Sequence, residues 1–364
     1  MRSILVTGGA GFIGSHLVDE LLEGGYDVRV FDAMVGQVHS EAERPSYLSP
    51  HAELRVGDVR DADAVRRALD GIDAVVHLAA RVGVGQSMYE LTEYTGANSF
   101  GTAVLLQALL DRLVQKLLVA SSMSIYGEGA TAPVEAVERT RADLEARRFE
   151  PRGAAGEALT ALPTPETKPP ANSSVYALTK YDQERLCLVF GEAYSVPAVA
   201  LRFFNVYGPR QALSNPYTGV LAIFASRLLN GRPPLLFEDG GQRRDFVNVA
   251  DVARACRLAL ERDGADGRAV NVGSGESVTV TEIGRKLAAV LGVDLEPEVT
   301  GTFRAGDIRH CFADITRARE LLGYEPQVEL EAGMADLAGW LETQTAEDRV
   351  GEATAELVSH GLAR

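Results

Sequence analysis

Residues 4–16 read Ile-Leu-Val-Thr-Gly-Gly-Ala-Gly-Phe-Ile-Gly-Ser-His, an apolar run that leads into a glycine-rich loop. The pattern over 12–24 is typical of a helix, and residues 27–32 form a second strand-like run. A strand, a glycine-rich loop and a helix in this order form the phosphate-binding unit of dinucleotide-binding folds. The chain therefore opens on a predicted dinucleotide site.

Each glycine of this loop is expected to do something different. Gly8 allows the tight turn, Gly11 lets the backbone approach a pyrophosphate, and Gly14 lets the helix pack closely on the strand. The first helical turn, with Phe12 and Ile13, supplies N–H groups and a partial positive charge that favour an anion.

The second strand ends in Asp32, which lies 18 residues after Gly14. A carboxylate at this point can accept hydrogen bonds from the ribose of adenosine, and it repels a 2′-phosphate. The sequence therefore predicts NAD rather than NADP as the cofactor.

Strand-like and helix-like segments alternate through the first 200 residues. The predicted strands cover 2–7, 27–32, 53–57, 73–79, 116–121 and 197–202. The predicted helices cover 12–24, 61–70, 98–113 and 176–195. This rhythm indicates an α/β protein with a doubly wound parallel sheet, the Rossmann arrangement, in which ligands bind beyond the carboxyl ends of the strands.

Prolines and paired glycines interrupt the pattern after residue 203, which predicts a smaller lobe interleaved with the first domain. The predicted parts are an NAD-binding domain over 1–202 with a return over 240–275, a substrate-binding lobe over 203–239 and 276–345, and a tail over 346–364. An insert at 128–172, rich in arginine and proline, interrupts the first domain. It reads as a lid, a dimer arm or a surface insertion.

The composition excludes several classes of partner. A net charge of −15 argues against nucleic acid and anionic membranes, and no apolar run approaches the ~18 residues of a membrane helix. Cys187, Cys256 and Cys311 are far apart, which favours free thiols over a disulfide or a metal site. A strand begins at once, which leaves no room for a signal peptide, so we expect a cytoplasmic protein.

Four polar residues form a candidate catalytic set. Tyr176 and Lys180 stand at i and i+4 on one helical face, where the lysine cation, together with a positive nicotinamide ring, is expected to lower the pKa of the tyrosine. Ser122 follows an apolar strand, where its hydroxyl could hydrogen-bond a substrate oxygen. Asn98, at the start of a predicted helix, completes the set.

With these motifs in place, the chain resembles the extended short-chain dehydrogenases/reductases of the nucleotide-sugar epimerase/dehydratase group. The resemblance extends from Arg2 to about Trp340 outside the insert, and it includes Leu201–Pro209 and Arg244–Val247. It implies further cofactor contacts from Asp58, Val59, Leu78, Ala79 and Ala80, and it implies that Tyr176 and Lys180 hold the nicotinamide ribose. His77, inside a strand-end motif, reads as structural.

The resemblance also implies a nucleotide-diphosphate sugar as substrate. Asn205 would bind its phosphate or sugar, Leu221 and Phe237 would flank the nucleobase, and Arg244 and Arg304 would grip the diphosphate. Ser122, Ser124 and Asp307 complete the implied substrate set.

The serine motif favours an epimerase. The 4,6-dehydratases of this group resemble one another in carrying Thr-Asp-Glu where this chain has Ser122-Met123-Ser124, and neither methionine nor serine can replace that acid pair in water elimination. Residues 206–211, 214–220 and 234–240 resemble dTDP-L-rhamnose 4-epimerases, which suggests a dTDP-6-deoxyhexose. Three alternatives stay open: a hexuronate decarboxylase using Arg210 or an arginine of the insert, a net dehydrogenase or reductase, and a non-catalytic NAD-binding regulator.

Association is also expected. The predicted helices at 98–113 and 176–195 carry apolar residues on more than one face; these are Val104, Leu105, Leu109, Leu186, Val189 and Phe190. Related enzymes pair these helices in a two-fold interface, so the resemblance implies a homodimer.

Overall fold

The structure is a computed structural model that describes residues 1–39, 44–211, 219–304, 307–342, 344 and 350–363. Most of the 214–220 stretch and Gly306 therefore lie outside the described residues. The strands are β1 (Ser3–Thr7), β2 (Asp27–Asp32), β3 (Glu53–Val56), β4 (Ala74–His77), β5 (Lys116–Ser122), β6 (Thr131–Ala132), β7 (Thr160–Ala161), β8 (Ala198–Phe203), β9 (Asn205–Tyr207), β10 (Leu235–Leu236), β11 (Arg243–Arg244), β12 (Phe246–Asn248), β13 (Arg268–Val272), β14 (Val278–Thr279), β15 (Glu298–Val299) and β16 (His310–Cys311).

The α-helices are α1 (Phe12–Glu23), α2 (Ala62–Leu69), α3 (Val84–Ser87), α4 (Leu91–Tyr94), α5 (Gly101–Leu109), α6 (Arg141–Glu145), α7 (Val175–Tyr194), α8 (Val220–Leu229), α9 (Val249–Glu261), α10 (Val280–Val290), α11 (Thr316–Leu322), α12 (Leu330–Leu341) and α13 (Val350–Ser359). A π-helical segment, Thr95–Phe100, precedes α5, and a 3-10 turn, Met123–Tyr126, follows β5. The single helix predicted over 98–113 is therefore wrong at both ends.

A seven-stranded parallel sheet forms the centre of the molecule, in the order β13-β8-β5-β4-β1-β2-β3. The chain runs outward from β1 to β3 and then returns to β4 on the other side of β1, in register Val6 with Val76. The order of the strands reverses between β1 and β4, which opens a crevice at their carboxyl ends. The doubly wound α/β fold predicted from the sequence is confirmed.

Side chains alternate between the two faces of this sheet, as the period of a strand requires. In β1, Ile4 and Val6 pack in one core with α1 and α9, whereas Leu5 packs in the opposite core with α2, α5 and α7. Cys256 and Cys187 are buried in these two cores, and Cys311 is buried under the insert. All three are free thiols.

A separate apolar core, built mainly from α8, α10 and α12, holds the smaller lobe together. The chain returns from this lobe through β12, which pairs with β9, and through α9 to β13, which pairs with β8 in the main sheet. Among the described residues, no helix combines the length and the apolar character needed to cross a membrane.

The insert at 128–172 contains little regular structure, namely β6, α6 and β7. It is nevertheless packed, because Phe149 is buried and Arg139 forms ion pairs with Glu128 and with Glu238 of the smaller lobe. Glu166 accepts a hydrogen bond from the backbone of Asn271 at the end of the main sheet. The insert is therefore held between the two parts of the molecule.

Candidate active site

The glycine-rich loop is shaped by close backbone contacts. Gly8 has a φ of +70°, and a Cβ added to it would lie 2.8 Å from the backbone nitrogen of Ala79. A Cβ on Gly14 would lie 2.3 Å from the Gly8 carbonyl oxygen, so both glycines are needed for packing. A Cβ on Gly11 would meet only that oxygen, at 3.4 Å, which is ordinary contact. Gly11 therefore leaves room on the side of the crevice for a ligand.

The crevice is a cavity of about 490 Å³, within the range of small-molecule sites. It brings together most of the residues singled out from the sequence; these are Gly8, Gly11, Phe12, Ile13, Gly14, Asp32, Asp58, Val59, Leu78, Ala79, Ala80, Ser122, Ser124, Tyr176, Lys180 and Asn205. Helix α1 begins at this cavity, and none of the described side chains caps its first N–H groups. The cavity therefore fits a dinucleotide, and the N–H groups that begin α1 are suited to bind an anion.

Asp32 is held at the end of β2 by two backbone donors. Its Oδ2 accepts a hydrogen bond from the N–H of Ala10 at 3.0 Å, and its Oδ1 accepts one from the N–H of Met34 at 3.0 Å. His39 lies beside it, with Nε2 at 3.7 Å from Asp32 Oδ1. The Nδ1 of His39 is buried without a hydrogen-bond partner in the described structure, and the residue lines the cavity. Sequence reasoning missed His39, since it lies seven positions after Asp32 and no motif marks it.

Ser122 and Tyr176 meet at the other end of the cavity. Ser122 ends β5, where its Oγ accepts a hydrogen bond from the N–H of Ser124 at 3.2 Å. Burial raises the pKa of Tyr176 above its usual value, and a hydrogen bond with Ser122 opposes this effect. The expected lowering of the tyrosine pKa by Lys180 is therefore wrong for the chain by itself, because removal from water outweighs the neighbouring groups.

Lys180 is buried beside them, and burial lowers its pKa to about 7. Its Nζ donates a hydrogen bond to Oε1 of Gln183 at 2.6 Å. The Nε2 of Gln183 in turn donates to the Oγ1 of Thr102 at 2.9 Å and lies 3.2 Å from the Nε2 of His77. Gln183 therefore links the lysine to the core of the sheet. Its place one helical turn after Lys180 was the available signal, which sequence reasoning missed.

The other two polar candidates serve the scaffold. Burial lowers the pKa of His77 to about 3, and its Nδ1 is 2.7 Å from the Oγ1 of Thr7, as expected of a structural histidine. Asn98 lies in the π-helical segment and outside the cavity. Its amide donates to the Arg81 carbonyl and to the Oγ1 of Thr179, and its oxygen accepts from the N–H of Arg81. The structure therefore corrects its expected catalytic role to that of a bridge between the β4 loop and α7.

The arginines expected to hold the diphosphate meet at one carboxylate. Arg304 Nη2 donates to Asp307 Oδ2 at 3.1 Å, and Arg244 Nη2 lies 3.6 Å from Asp307 Oδ1. Burial would raise the pKa of Asp307, but the two guanidinium groups hold it below its usual value. The guanidinium of Arg304 also lies 4.3 Å from the centre of the Phe237 ring. Leu221 is instead 1% exposed and packs in the core of the lobe, which corrects its expected contact with a nucleobase.

The insert contacts the same residue, Asp307, through its backbone carbonyl. Arg139 donates to the Asp307 carbonyl at 2.7 Å and to Glu238 Oε1 at 2.7 Å. Arg309 bonds Glu238 Oε2 at 2.9 Å, and it also pairs with Glu150 of the insert. We call Glu128, Arg139, Glu150, Glu238, Asp239 and Arg309 the ion-pair web. Long-range contacts of this kind leave no local sequence signal.

Together, a glycine-rich loop under a parallel sheet and a buried Ser–Tyr–Lys set beside it define a dinucleotide-dependent enzyme of the extended short-chain dehydrogenase/reductase type. Residues 4–154 and 154–273 match the NAD dependent epimerase/dehydratase family. The chain belongs to this family, and NAD is its cofactor.

Individual relatives match over nearly the whole chain. It is 38% identical to the dTDP-L-rhamnose 4-epimerase of Burkholderia thailandensis over 93% of this chain and 95% of that protein. The UDP-glucose 4-epimerase of Thermotoga maritima, solved with UDP-glucose, superposes with a TM-score of 0.78 at 34% identity, over 94% of this chain and 99% of that one. The UDP-glucose 4-epimerase of Thermus thermophilus, solved with NAD, gives a TM-score of 0.76 at 31% identity, over 94% and 100% of the two chains.

Proposed function

We propose that this chain is a nucleotide-sugar 4-epimerase whose substrate is a dTDP-6-deoxyhexose such as dTDP-L-rhamnose. The observation that carries the reaction type is the surroundings of Ser122 and Tyr176. The acidic side chains among the described lining residues are Asp32, Asp58 and Glu93. Asp32 ends β2, three strand spacings or about 14 Å from β5, which carries Ser122. The end of the cavity near Ser122 and Tyr176 thus offers two hydroxyl groups, without the acid–base pair that water elimination requires.

In this proposal the chain moves one proton and holds the sugar. Gly8, Gly11, Gly14 and Asp32 would hold NAD, which would supply a hydride acceptor for C4 and the hydride donor for the return step. Tyr176 takes the proton of the 4-hydroxyl while Ser122 hydrogen-bonds the same oxygen. The Lys180 ammonium, held by Gln183, offsets part of the cost of forming a buried tyrosinate without outweighing it. Arg244 and Arg304 hold the diphosphate while the sugar turns.

The dTDP-6-deoxyhexose is the finer part of the proposal. It is supported by the similarity to the Burkholderia enzyme and by the apolar side chains Met123, Phe203 and Phe204 that line the cavity around Ser122. Arg210, one of the arginines that could serve a hexuronate decarboxylase at the sugar carboxylate, instead pairs with Asp19 at 2.7 Å. This contact disfavours a decarboxylase that uses Arg210.

The deciding experiment is incubation of the purified chain with dTDP-, UDP- and GDP-sugars, without added reductant, followed by NMR. A C4-inverted product of unchanged mass is expected, with dTDP-L-rhamnose as the preferred substrate. Loss of water or carbon dioxide would make the enzyme a lyase, stoichiometric NADH would make it a dehydrogenase, and no product with intact NAD binding would indicate a regulator. A Tyr176→Phe sample is the control for contaminating activity.

A homodimer is also part of the proposal. Of the helix residues expected at the interface, Leu105, Leu109 and Phe190 are buried in the core of the sheet, which corrects their role. The most exposed apolar side chains in these two segments are Phe100, Leu178 and Val189. We expect them to pack against a second copy, so light scattering should give twice the mass of the chain, and Leu178→Asp should give the single mass.

A further inference from the structure

The C-terminal segment, residues 350–363, makes three separate contacts with the rest of the molecule. The Leu357 side chain packs on Gly85, where an added Cβ would lie 3.0 Å from Leu357 Cδ2. The His360 ring stacks on Tyr89, with centroids 4.6 Å apart and planes 10° apart. Ala363 forms an antiparallel backbone bridge with Arg304. Residues 357–363 are therefore docked against two separate parts of the chain.

These contacts join two parts of the chain, one beside the cavity and one in the smaller lobe. Gly85 and Tyr89 follow β4, and Val82, Gly83 and Val84 just before them line the cavity. Arg304 belongs to the smaller lobe and pairs with Asp307. A single segment thus connects the α3 region, which borders the cavity, with an arginine of the smaller lobe.

The docking buries specific side chains. Leu357 is 7% exposed and Ala363 is 3% exposed, whereas the neighbouring Val358 is 53% exposed. Gly85 is the position that permits this contact, because a side chain there would displace Leu357. The segment therefore has a defined inner face.

We propose that the C-terminal segment is part of the substrate site, where it positions Arg304 and closes the cleft over the sugar. The proposal rests on the proposed epimerase function. In that reaction the C4–H and O4–H bonds break and a C4=O bond forms; two electrons and one hydrogen pass to NAD, and the other proton passes to Tyr176. If the ketone leaves before the return step, the enzyme keeps the reduced cofactor and stops. A closed cleft prevents this escape.

The test compares Leu357→Asp with Val358→Asp in the full-length chain. These adjacent changes are chemically alike, but only the first places a charge on the docked face. With Leu357→Asp we expect the KM for the nucleotide sugar to rise roughly tenfold, as the loss of one buried leucine contact implies. We also expect released 4-keto sugar by NMR and enzyme-bound NADH by its fluorescence. Val358→Asp should behave as the unaltered chain, and NAD affinity should be unchanged in both.

The possible outcomes separate the two proposals. If the unaltered chain turns over no nucleotide sugar, the epimerase function is wrong. If it turns over and Leu357→Asp matches Val358→Asp in KM and in NADH build-up, only the role of the C-terminal segment is wrong. Should Leu357→Asp lose NAD binding, the pair Leu357→Ala and Val358→Ala replaces it. Hydrogen exchange gives a second readout, since dTDP or UDP should slow exchange across 350–363, and unchanged exchange would contradict closure.

Discussion

The cofactor end and the substrate end of the active site are shaped by different kinds of contact. Around the cofactor crevice, the shape is set by backbone atoms in contact, as at Gly8, Gly14 and the turn before Ala79. In the substrate lobe, charged side chains set the shape, with Arg309 and Glu238 each almost fully buried. Backbone packing tolerates shifts of a few tenths of an ångström at most, whereas ion pairs depend on the balance of charge. Mutations should therefore affect the two ends in different ways.

The largest effect is expected at the junction of the two ends. Tyr176→Phe removes the group that takes the 4-hydroxyl proton, so turnover should fall by about 10³-fold while the fold and most NAD affinity remain. Tyr94→Phe is the matched control, because its ring packs edge-on to Tyr176, with centroids 6.5 Å apart, but lies outside the cavity. Equal losses in both variants would remove Tyr176 from the mechanism.

The next effect sharpens the contrast within the charged lobe. Arg309→Ala leaves Glu238 with one fewer cation, so we expect the free energy of unfolding in urea to fall by about 3 kcal/mol. Arg285→Ala breaks an exposed pair with Glu296 and should cost at most about 1 kcal/mol. Similar values for the two variants would show that the ion-pair web adds no more than surface charges do.

A smaller effect separates two glycines of the cofactor loop. Gly11 has an extended backbone, which alanine also adopts. Gly11→Ala should therefore change the free energy of unfolding by less than about 1 kcal/mol, yet it should weaken the affinity for NAD roughly tenfold. In Gly14→Ala the added Cβ would clash with the Gly8 carbonyl oxygen, so the free energy of unfolding should fall by about 1–3 kcal/mol. Calorimetric titration with NAD and urea unfolding measure both. Tight NAD binding by Gly11→Ala would place the pyrophosphate elsewhere.

The smallest effect is a shift in pH dependence. Since the pKa of Lys180 is lowered to about 7, its ammonium is lost as the pH rises through that value, and turnover should fall along this basic limb. Gln183→Glu puts a carboxylate beside Nζ and should move the limb upward by about one pH unit. Gln183→Leu removes the acceptor and should move it downward. If the basic limb of the pH profile stays at the same pH in both variants, Gln183 does not influence the titration of Lys180.

The same contrast explains what the sequence alone could predict. The β1–α1–β2 unit, Asp32 and the Ser122, Tyr176 and Lys180 set are local patterns on regular elements, and the cavity contains all of them. Contacts between distant segments carry no such pattern. The ion-pair web and the docking of Leu357 on Gly85 join residues far apart in the chain, and the π-helical segment that moves Asn98 out of the cavity depends on its tertiary partners.

The buried cysteines have a practical consequence. Burial raises the thiol pKa of Cys187 and Cys311 to about 12, and it also raises that of Cys256, so the reactive thiolate is scarce at neutral pH and shielded from reagents. A cysteine placed at the exposed position 358 would then be the preferred site for a maleimide dye. Because the natural cysteines react little with thiol reagents, a single fluorophore at position 358 could report the opening and closing of the cleft in real time.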